Sequence, residues 1–220
     1  MAPPDFSDSR RFRQSFGLDD SDEAIAYAAA INPGGTRFGV PLTPDELADM
    51  EARSRRQEQQ GPLSQLVSEL SDDLGAMWVD QRQGGQYVVM ALPSLSDADR
   101  QRLVESVPPG GSVRFQSATV SWSTLRAWVD RLAQSLMTKS APTALTAVLE
   151  DMGLRVTSIR PAVQSNSIIV FFATTPSDEP RLTAAWDRAV EAGDAPPRSY
   201  TSFEVGEPLR ALTGTPPSTP

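Results

Sequence analysis

The chain has 220 residues, with 20 basic against 28 acidic side chains, and its net charge of −8 disfavours nucleic acid and anionic membranes as partners. It contains no histidine and no cysteine, which excludes thiol nucleophiles, disulfides, the most common general base and nearly every zinc or haem site. We therefore predict a protein that is not an enzyme and binds no metal or cofactor. Its hydrophobic residues, 39% of the chain, suffice for two small domains.

Residues 1–61 have the pattern of a polar, helical amino-terminal arm. One helix is expected over 23–31, and another begins after Thr43, which is a typical N-cap residue. Glu46 follows three positions later, where its side chain can bond back to the Thr43 amide and complete a capping box. We predict that this helix runs into 52–60, a polar stretch that projects into solvent or lies on a partner.

The segment 62–140 predicts one α-β-β-α-β unit. Its first helix is expected to end at Gly75 in the left-handed conformation, and its hairpin turns at Gly84 and Gly85, which tolerate positive φ. Ser96 and Ser123 are the predicted N-caps of two later helices. The expected elements are helix 63–74, strands 76–80 and 86–92, helix 96–107, strand 113–120 and helix 123–136.

The same order of elements recurs in 141–213. Gly153 repeats the helix-ending glycine, the apolar strand 168–171 repeats 87–90, and a final strand is expected over 198–205 with a helix stub at 207–212. We therefore predict an α+β fold of two repeated α-β-β-α-β units with small antiparallel or mixed sheets. The helical arm precedes these units, and a flexible proline-rich tail, 214–220, follows them.

Pairs of carboxylates are the remaining acid–base candidates, and none has the pattern of a catalytic site. Asp97 and Asp99 are expected in the first turn of a helix, where negative charge stabilises the helix dipole. Neighbouring residues on a helix point about 100° apart, so adjacent carboxylates do not converge there. The pairs to which this applies are Asp72/Asp73 and Glu150/Asp151.

The sequence contains many serines but no nucleophile motif. With histidine absent, a serine nucleophile would need a lysine as its base, and Lys139 is the single lysine of the chain. Ser135 precedes Lys139 by one helical turn, so a Ser/Lys dyad is conceivable. A solvated helix face is the commoner meaning of such a pair.

One apolar segment indicates a protein-binding surface. Residues 168–172 form an uninterrupted apolar strand, which suits either a buried central strand or an edge that another chain covers. The last strand of the same unit adds two aromatic residues. The candidate protein-binding residues are Ile168, Val170, Phe172, Tyr200 and Phe203.

Three segments carry a resemblance to a known family: RQSFGLDD at 13–20, FGVPLTPDELA at 38–48, and GAMWVDQ at 75–81 followed by Gly84 and Gly85. In this order they resemble the amino-terminal regions that precede trypsin-like serine protease domains in actinobacteria. Those regions are related to the pro-regions of the streptogrisin and α-lytic protease group. The resemblance implies duplicated small α/β units, as the internal repeat does independently.

The resemblance also implies a function. Such pro-regions are not enzymes; they assist folding of the attached protease and can inhibit it, through sheet pairing and a carboxyl-terminal strand or tail laid into the substrate groove. The expected partner is therefore a protein, with a trypsin-like serine protease as the first candidate, and the oligomeric state stays open. The chain is expected to be cytoplasmic if Met1 is its native start, and secreted if it is a fragment of a protease precursor.

A second hypothesis needs no protease. In it, the chain is a cytoplasmic structural or regulatory protein, or an orphan relative of the pro-regions with another partner. The polar helix expected from 44 to 60 and the acidic surface would then dock a larger assembly.

Overall fold

The structure is a computed structural model that describes residues 6–137, 143–151, 153–174 and 178–206. Its fold is α+β, as predicted: helices at the amino terminus precede two α-β-β-α-β repeats, each with a small three-stranded mixed sheet. The chain divides into two compact units between Ser121 and Trp122. The predicted linker 138–142, helix stub 207–212 and tail 214–220 lie outside the described residues.

Three helices form the arm of the first unit: α1 (Ser7–Phe16), α2 (Asp22–Ile31) and α3 (Pro44–Glu58). The predicted capping box is present at the start of α3. The Glu46 amide donates to the Thr43 hydroxyl at 3.3 Å, and the Thr43 amide donates to the Glu46 carboxylate at 2.9 Å. Behind this cap, Leu42 and Met50 are buried in an apolar cluster that includes Phe12 and Phe16 of α1.

One face of the far half of α3 packs on the same chain, which corrects the prediction for 52–60, while Arg55, Gln57 and Glu58 are exposed. Arg53 is only 7% exposed and donates to the carbonyl oxygens of Phe16 and Gln81, at 3.0 and 2.6 Å. Arg56 donates to the carbonyl oxygen of Gly84 at 3.0 Å. The charged stretch was predicted to project into solvent or to lie on a partner, but guanidinium groups can be buried within the protein when carbonyl oxygens accept their hydrogen bonds.

The first repeat packs two helices on one face of its sheet. Strands β1 and β2 are antiparallel and β2 and β3 are parallel, so β2 is central. Leu63, Leu74, Val89 and Leu103 are buried in the shared apolar cluster. The elements are α4 (Gly61–Glu69), β1 (Leu74–Asp80), β2 (Gln86–Ala91), α5 (Asp97–Glu105) and β3 (Val113–Ser117).

Two boundaries of this repeat differ from the prediction. Helix α4 ends at Glu69, and Leu74 is the first residue of β1, paired with Ala91. Gly75 lies in that strand at a register shift and does not terminate the helix. Leu74 fits the helical spacing of the preceding leucines. The sequence alone therefore could not distinguish a leucine buried in the sheet from one buried on a helix. Gly84 and Gly85 do adopt positive φ, as predicted.

The second unit repeats this topology, with β5 central, antiparallel to β4 and parallel to β6. The β4–β5 turn has a left-handed residue, Asn166, where the β1–β2 turn has Gly84, and each first strand has one register shift. None of the helices in the described ranges is long and apolar enough to span a membrane. The elements are α6 (Trp122–Met137), α7 (Ala144–Asp151), β4 (Val156–Ala162), β5 (Ser167–Ala173), α8 (Glu179–Glu191) and β6 (Thr201–Gly206).

Helix α6 belongs to the second compact unit, although the sequence placed it in the first repeat, 62–140. It begins at Trp122, so Ser123 lies inside the helix and is not its N-cap. Leu125 and Leu132 of this helix are buried, and the helix packs against β4 and β5.

Candidate protein-binding site

The carboxylate pairs have structural surroundings. At the start of α5, the amide of Asp99 donates to the Ser96 hydroxyl at 3.1 Å, and that hydroxyl donates to the Asp99 carboxylate at 2.6 Å. The hydrogen bond from the Ser96 hydroxyl and, to a smaller extent, that from the Arg102 guanidinium hold the pKa of Asp99 below its usual range. Asp99 therefore acts within the cap of a helix. No group of three acidic side chains in the described ranges converges to hold a metal ion.

The other acidic pairs and the serine candidate are not assembled into a site. Glu150 and Asp151 occupy the last turn of α7, and Asp72 and Asp73 lie in the turn that leads into β1. The Ser135 hydroxyl donates to the Thr143 hydroxyl at 3.1 Å, while Lys139 lies outside the described residues.

Three of the five predicted binding residues are in the core of the second unit. Ile168 and Val170 are fully buried and Phe172 is 2% exposed, because β5 is the central strand of its sheet. Of the two alternatives for this segment, the structure therefore shows the buried central strand. The binding role assigned to these three side chains stays an untested prediction.

The other two predicted residues are partly buried near the start of β6. Phe203 packs edge-on against Phe172 and Trp186, with ring centroids 5.5 and 5.2 Å away. Tyr200 lies 5.7 Å from the Trp128 ring of α6. Both side chains therefore help to attach β6 to its own unit. Phe203 nevertheless lies in β6 and Tyr200 directly before it, and the edge of β6 that faces away from β5 is open in the described part of the chain.

Strand β6 is an edge strand that no other strand covers within the described part of the chain. It has no proline, and Ser202 and Glu204 on its outer face are exposed. Strand β3 is the equivalent of β6 in the first repeat, and Ala118 occupies the position that corresponds to Gly206. The Ala118 amide donates to the carbonyl oxygen of Ala91, in the central strand, at 2.8 Å. Alternate amides of a parallel strand face the same neighbour. The amides of Phe203 and Val205 therefore face the open edge.

The opposite edge, β4, is less suited to pairing with another chain. Pro161 has no amide hydrogen to donate, and α6 packs against this strand. Arg160 stacks over the Phe171 ring, 5.2 Å from its centroid. The start of β6 is firmly held, by contrast: the Trp186 indole donates to the carbonyl oxygen of Pro196 at 3.0 Å, just before the strand. At its first residue the outer edge of β6 is occupied, because Arg198 donates to the carbonyl oxygen of Thr201. A held strand whose outward main-chain groups are free, as expected at Phe203 and Val205, is what β-strand addition requires.

The two buried arginines of the arm were missed by sequence reasoning. Arg13 is fully buried, bonds both carboxylate oxygens of Glu46 at 2.8 Å, and donates to the carbonyl oxygen of Asp19 at 2.6 Å. Arg53 joins Phe16 to Gln81. These four partners, Phe16, Asp19, Glu46 and Gln81, all lie in the three segments that carry the family resemblance. A buried arginine bonded to carbonyl oxygens has no local sequence signal, because most of these partners are far away along the chain.

The contact of the arm with the first repeat includes a close backbone approach. Gly17 has φ of 68°, and a Cβ atom there would lie 2.3 Å from the carbonyl oxygen of Arg82. The Tyr87 hydroxyl donates to the carbonyl oxygen of Arg56 at 3.1 Å, and burial raises the pKa of Tyr87. The three segments therefore explain how the arm attaches to the first repeat, which is a structural role.

Comparison with known protein families finds no family model that matches this chain, and comparison with curated proteins finds no similar sequence. The functional argument consequently depends on the residues and on the geometry of the two repeats. In that geometry the open edge of β6 is the feature best suited to recognise another macromolecule.

Proposed function

We propose that this chain is a non-catalytic protein-binding module that acts as a protease pro-region does, as a folding chaperone or inhibitor of a trypsin-like serine protease, or as an orphan relative of such a region. The observation that carries the proposal is the open, proline-free edge of β6 in a duplicated α-β-β-α-β architecture. The order of the three resembling segments supports it further.

The physical basis is strand addition. An extended segment of the partner forms main-chain hydrogen bonds with the outward amides of Phe203 and Val205 and the carbonyl groups of the same residues. A module that binds the native partner, or its folding transition state, more tightly than the unfolded chain stabilises the folded form by that difference in affinity. No reacting group is needed, which agrees with the absence of histidine and cysteine.

The second hypothesis is a cytoplasmic structural or regulatory protein without a protease partner, which would dock through the polar helix after residue 44 and the acidic surface. One face of the far half of α3 lies on the first repeat of the same chain, through Arg53 and Arg56, so only its exposed face remains for such docking. The acidic surface alone does not select a partner.

A refolding assay tests the proposed function. A streptogrisin-type protease is unfolded in guanidinium chloride and diluted with or without an equimolar amount of the full chain, and recovered peptidase activity is measured after the added chain has been digested. We expect the rate at which activity is recovered to rise at least about tenfold, corresponding to a lowering of the folding barrier by about 1.4 kcal/mol. Equal recovery with and without the chain, across several such proteases, contradicts the proposal.

A variant of the edge locates the effect. Val205→Pro removes one outward amide hydrogen but leaves the amides that face β5, whereas Glu204→Ala changes the same strand and keeps the outward hydrogens. We expect Val205→Pro to lose most of the recovery and Glu204→Ala to keep it, with both variants checked for native circular dichroism. Equal recovery for the two variants would show that the partner does not use the β6 edge.

A further inference from the structure

The open edge of β6 is short, because its first residue is already occupied. Arg198 donates to the carbonyl oxygen of Thr201, so an added strand does not bond to that carbonyl unless it displaces the guanidinium. The outward main-chain groups of Phe203 and Val205 follow, with Glu204 between them. Glu204 therefore lies at the centre of the part of the edge that another strand can reach.

The two faces of this edge carry opposite charges. Arg198 lies over the Phe203 ring, 4.1 Å from its centroid, on the face where Phe203 packs against Trp186. Glu204 is exposed on the opposite face, because side chains alternate along a strand. It is the single charged residue of β6, and it forms no ion pair with a cation of the described residues. Its negative charge is therefore free to pair with a charge on an added strand.

An added strand would place its nearest side chain on the outer side of Glu204. On the inner side, the register partner of Glu204 is Phe171 of β5, and Arg160 of β4 stacks over that ring, 5.2 Å from its centroid. An antiparallel strand that bonds to Phe203 and Val205 puts Glu204 in the non-hydrogen-bonded position, where facing side chains are closest. In such pairs opposite charges are stabilising and like charges are destabilising. The residue opposite Glu204 therefore affects which strands the edge prefers.

We propose that the β6 edge selects an antiparallel strand of another protein that carries lysine or arginine opposite Glu204 and uncharged residues at the two adjacent positions. This inference rests on the strand addition proposed above and specifies its partner. A slip of one residue would move the basic side chain to the face of Arg198, where like charges repel. A second copy of the chain in the same register would place Glu204 against Glu204, so it is not the expected occupant. The net charge of −8 also attracts basic segments at long range.

Titration of the full chain with two cyclic β-hairpin peptides, followed by NMR chemical shifts, tests this preference. The hairpins are identical except that the centre of the free strand carries lysine in one and glutamate in the other, and cyclisation removes most of the ordering cost of binding. We expect the lysine hairpin to bind at least about fivefold more tightly and to shift the amide signals of β6. Equal affinities, or no binding by either hairpin, would overturn the proposal.

Matched variants locate the preference. Glu204→Lys should reverse it, so that the glutamate hairpin binds at least about fivefold more tightly. Asp187→Lys makes the same change in net charge at an exposed position of α8 and should keep the preference for lysine. Val205→Pro should weaken the binding of both hairpins at least about tenfold. Glu204→Ala should remove the charge preference but keep the main-chain bonds, which is why it retains the refolding activity expected above. A preference for lysine that survives in Glu204→Lys would contradict the assignment.

The hairpins contain no protease, so this inference and the proposed function fail separately. A lysine preference that Glu204→Lys reverses, together with unchanged protease refolding, contradicts the proposed function alone. Equal hairpin affinities, together with refolding that depends on Val205, contradict the charge preference alone. Sedimentation velocity of the wild-type chain supplies the remaining outcome. A dimer that Val205→Pro dissociates would show that a second copy occupies the edge, which would overturn the proposed partner.

Discussion

Replacing Arg13 with methionine should destabilise the first unit by about 3 kcal/mol or more. The Arg13 side chain is fully buried and the Glu46 side chain is 19% exposed, and both carboxylate oxygens bond to the guanidinium at 2.8 Å. Removal of the cation leaves a largely buried carboxylate, and it also leaves the carbonyl oxygen of Asp19 without its donor. Glu46 keeps its bond to the Thr43 amide, which places the expected cost near the lower end of the range for broken buried pairs.

Urea denaturation followed by far-ultraviolet circular dichroism measures this effect. With a urea dependence of about 1–3 kcal/mol per molar, the expected loss lowers the unfolding midpoint by at least about 1 M. The control is Arg11→Met, since Arg11 is 79% exposed and its nearest carboxylate, Asp8, is 3.9 Å away, so we expect a change within about 0.5 kcal/mol. A loss below about 1 kcal/mol for Arg13→Met would refute the assigned role of the buried pair.

Two further substitutions test local features of the first unit. Gly17→Ala should cost about 2–4 kcal/mol in urea denaturation, because the new methyl group would meet the Arg82 carbonyl oxygen in a left-handed backbone; Gly34→Ala, with nothing within 4 Å, should change stability by less than about 1 kcal/mol. The lowered pKa of Asp99 means that its cap contribution is present above about pH 4 and is lost as pH falls through the folded-state pKa. In a carboxyl NMR titration, Ser96→Ala should raise the pKa of Asp99 toward its ordinary value, and an unchanged value would contradict the assigned cause.

Local signals made much of the fold predictable. The capping box at Thr43 and the glycine turn at 84–85 use chemistry that acts within a few residues, and the structure has both. The duplication was visible because both repeats keep apolar residues at matching positions, including β2 and β5 at their centres. Repetition of a pattern within one chain is independent evidence for each copy.

The errors have a common physical origin in long-range contacts. Leu74 and Gly75 were assigned to a helix because helix and strand periodicities coincide over so short a stretch, and only pairing with β2 decides between them. Arg53 was placed in a stretch that projects into solvent or lies on a partner because its own partners, Phe16 and Gln81, are 37 and 28 residues away. A charged side chain in a polar run carries no local sign that distant carbonyl groups will accept its hydrogen bonds.

The candidate binding residues show the same limit. The sequence correctly indicated an apolar β5, but hydropathy does not distinguish a central strand from an edge that another chain covers. Only the strand order shows that Ile168, Val170 and Phe172 are interior and that β6 carries the open edge. Pairing order depends on contacts between residues far apart in the chain, which periodicity does not encode.

Equilibrium binding to a folded protease tests the proposed function most directly. The full chain is titrated by isothermal calorimetry into a streptogrisin-type protease whose nucleophilic serine has been chemically blocked. A pro-region-like module should bind with Kd of about 1 μM or tighter, corresponding to about −8 kcal/mol, and Val205→Pro should weaken that binding at least about tenfold. Absence of binding at about 100 μM, across several proteases of this group, would contradict the proposed role.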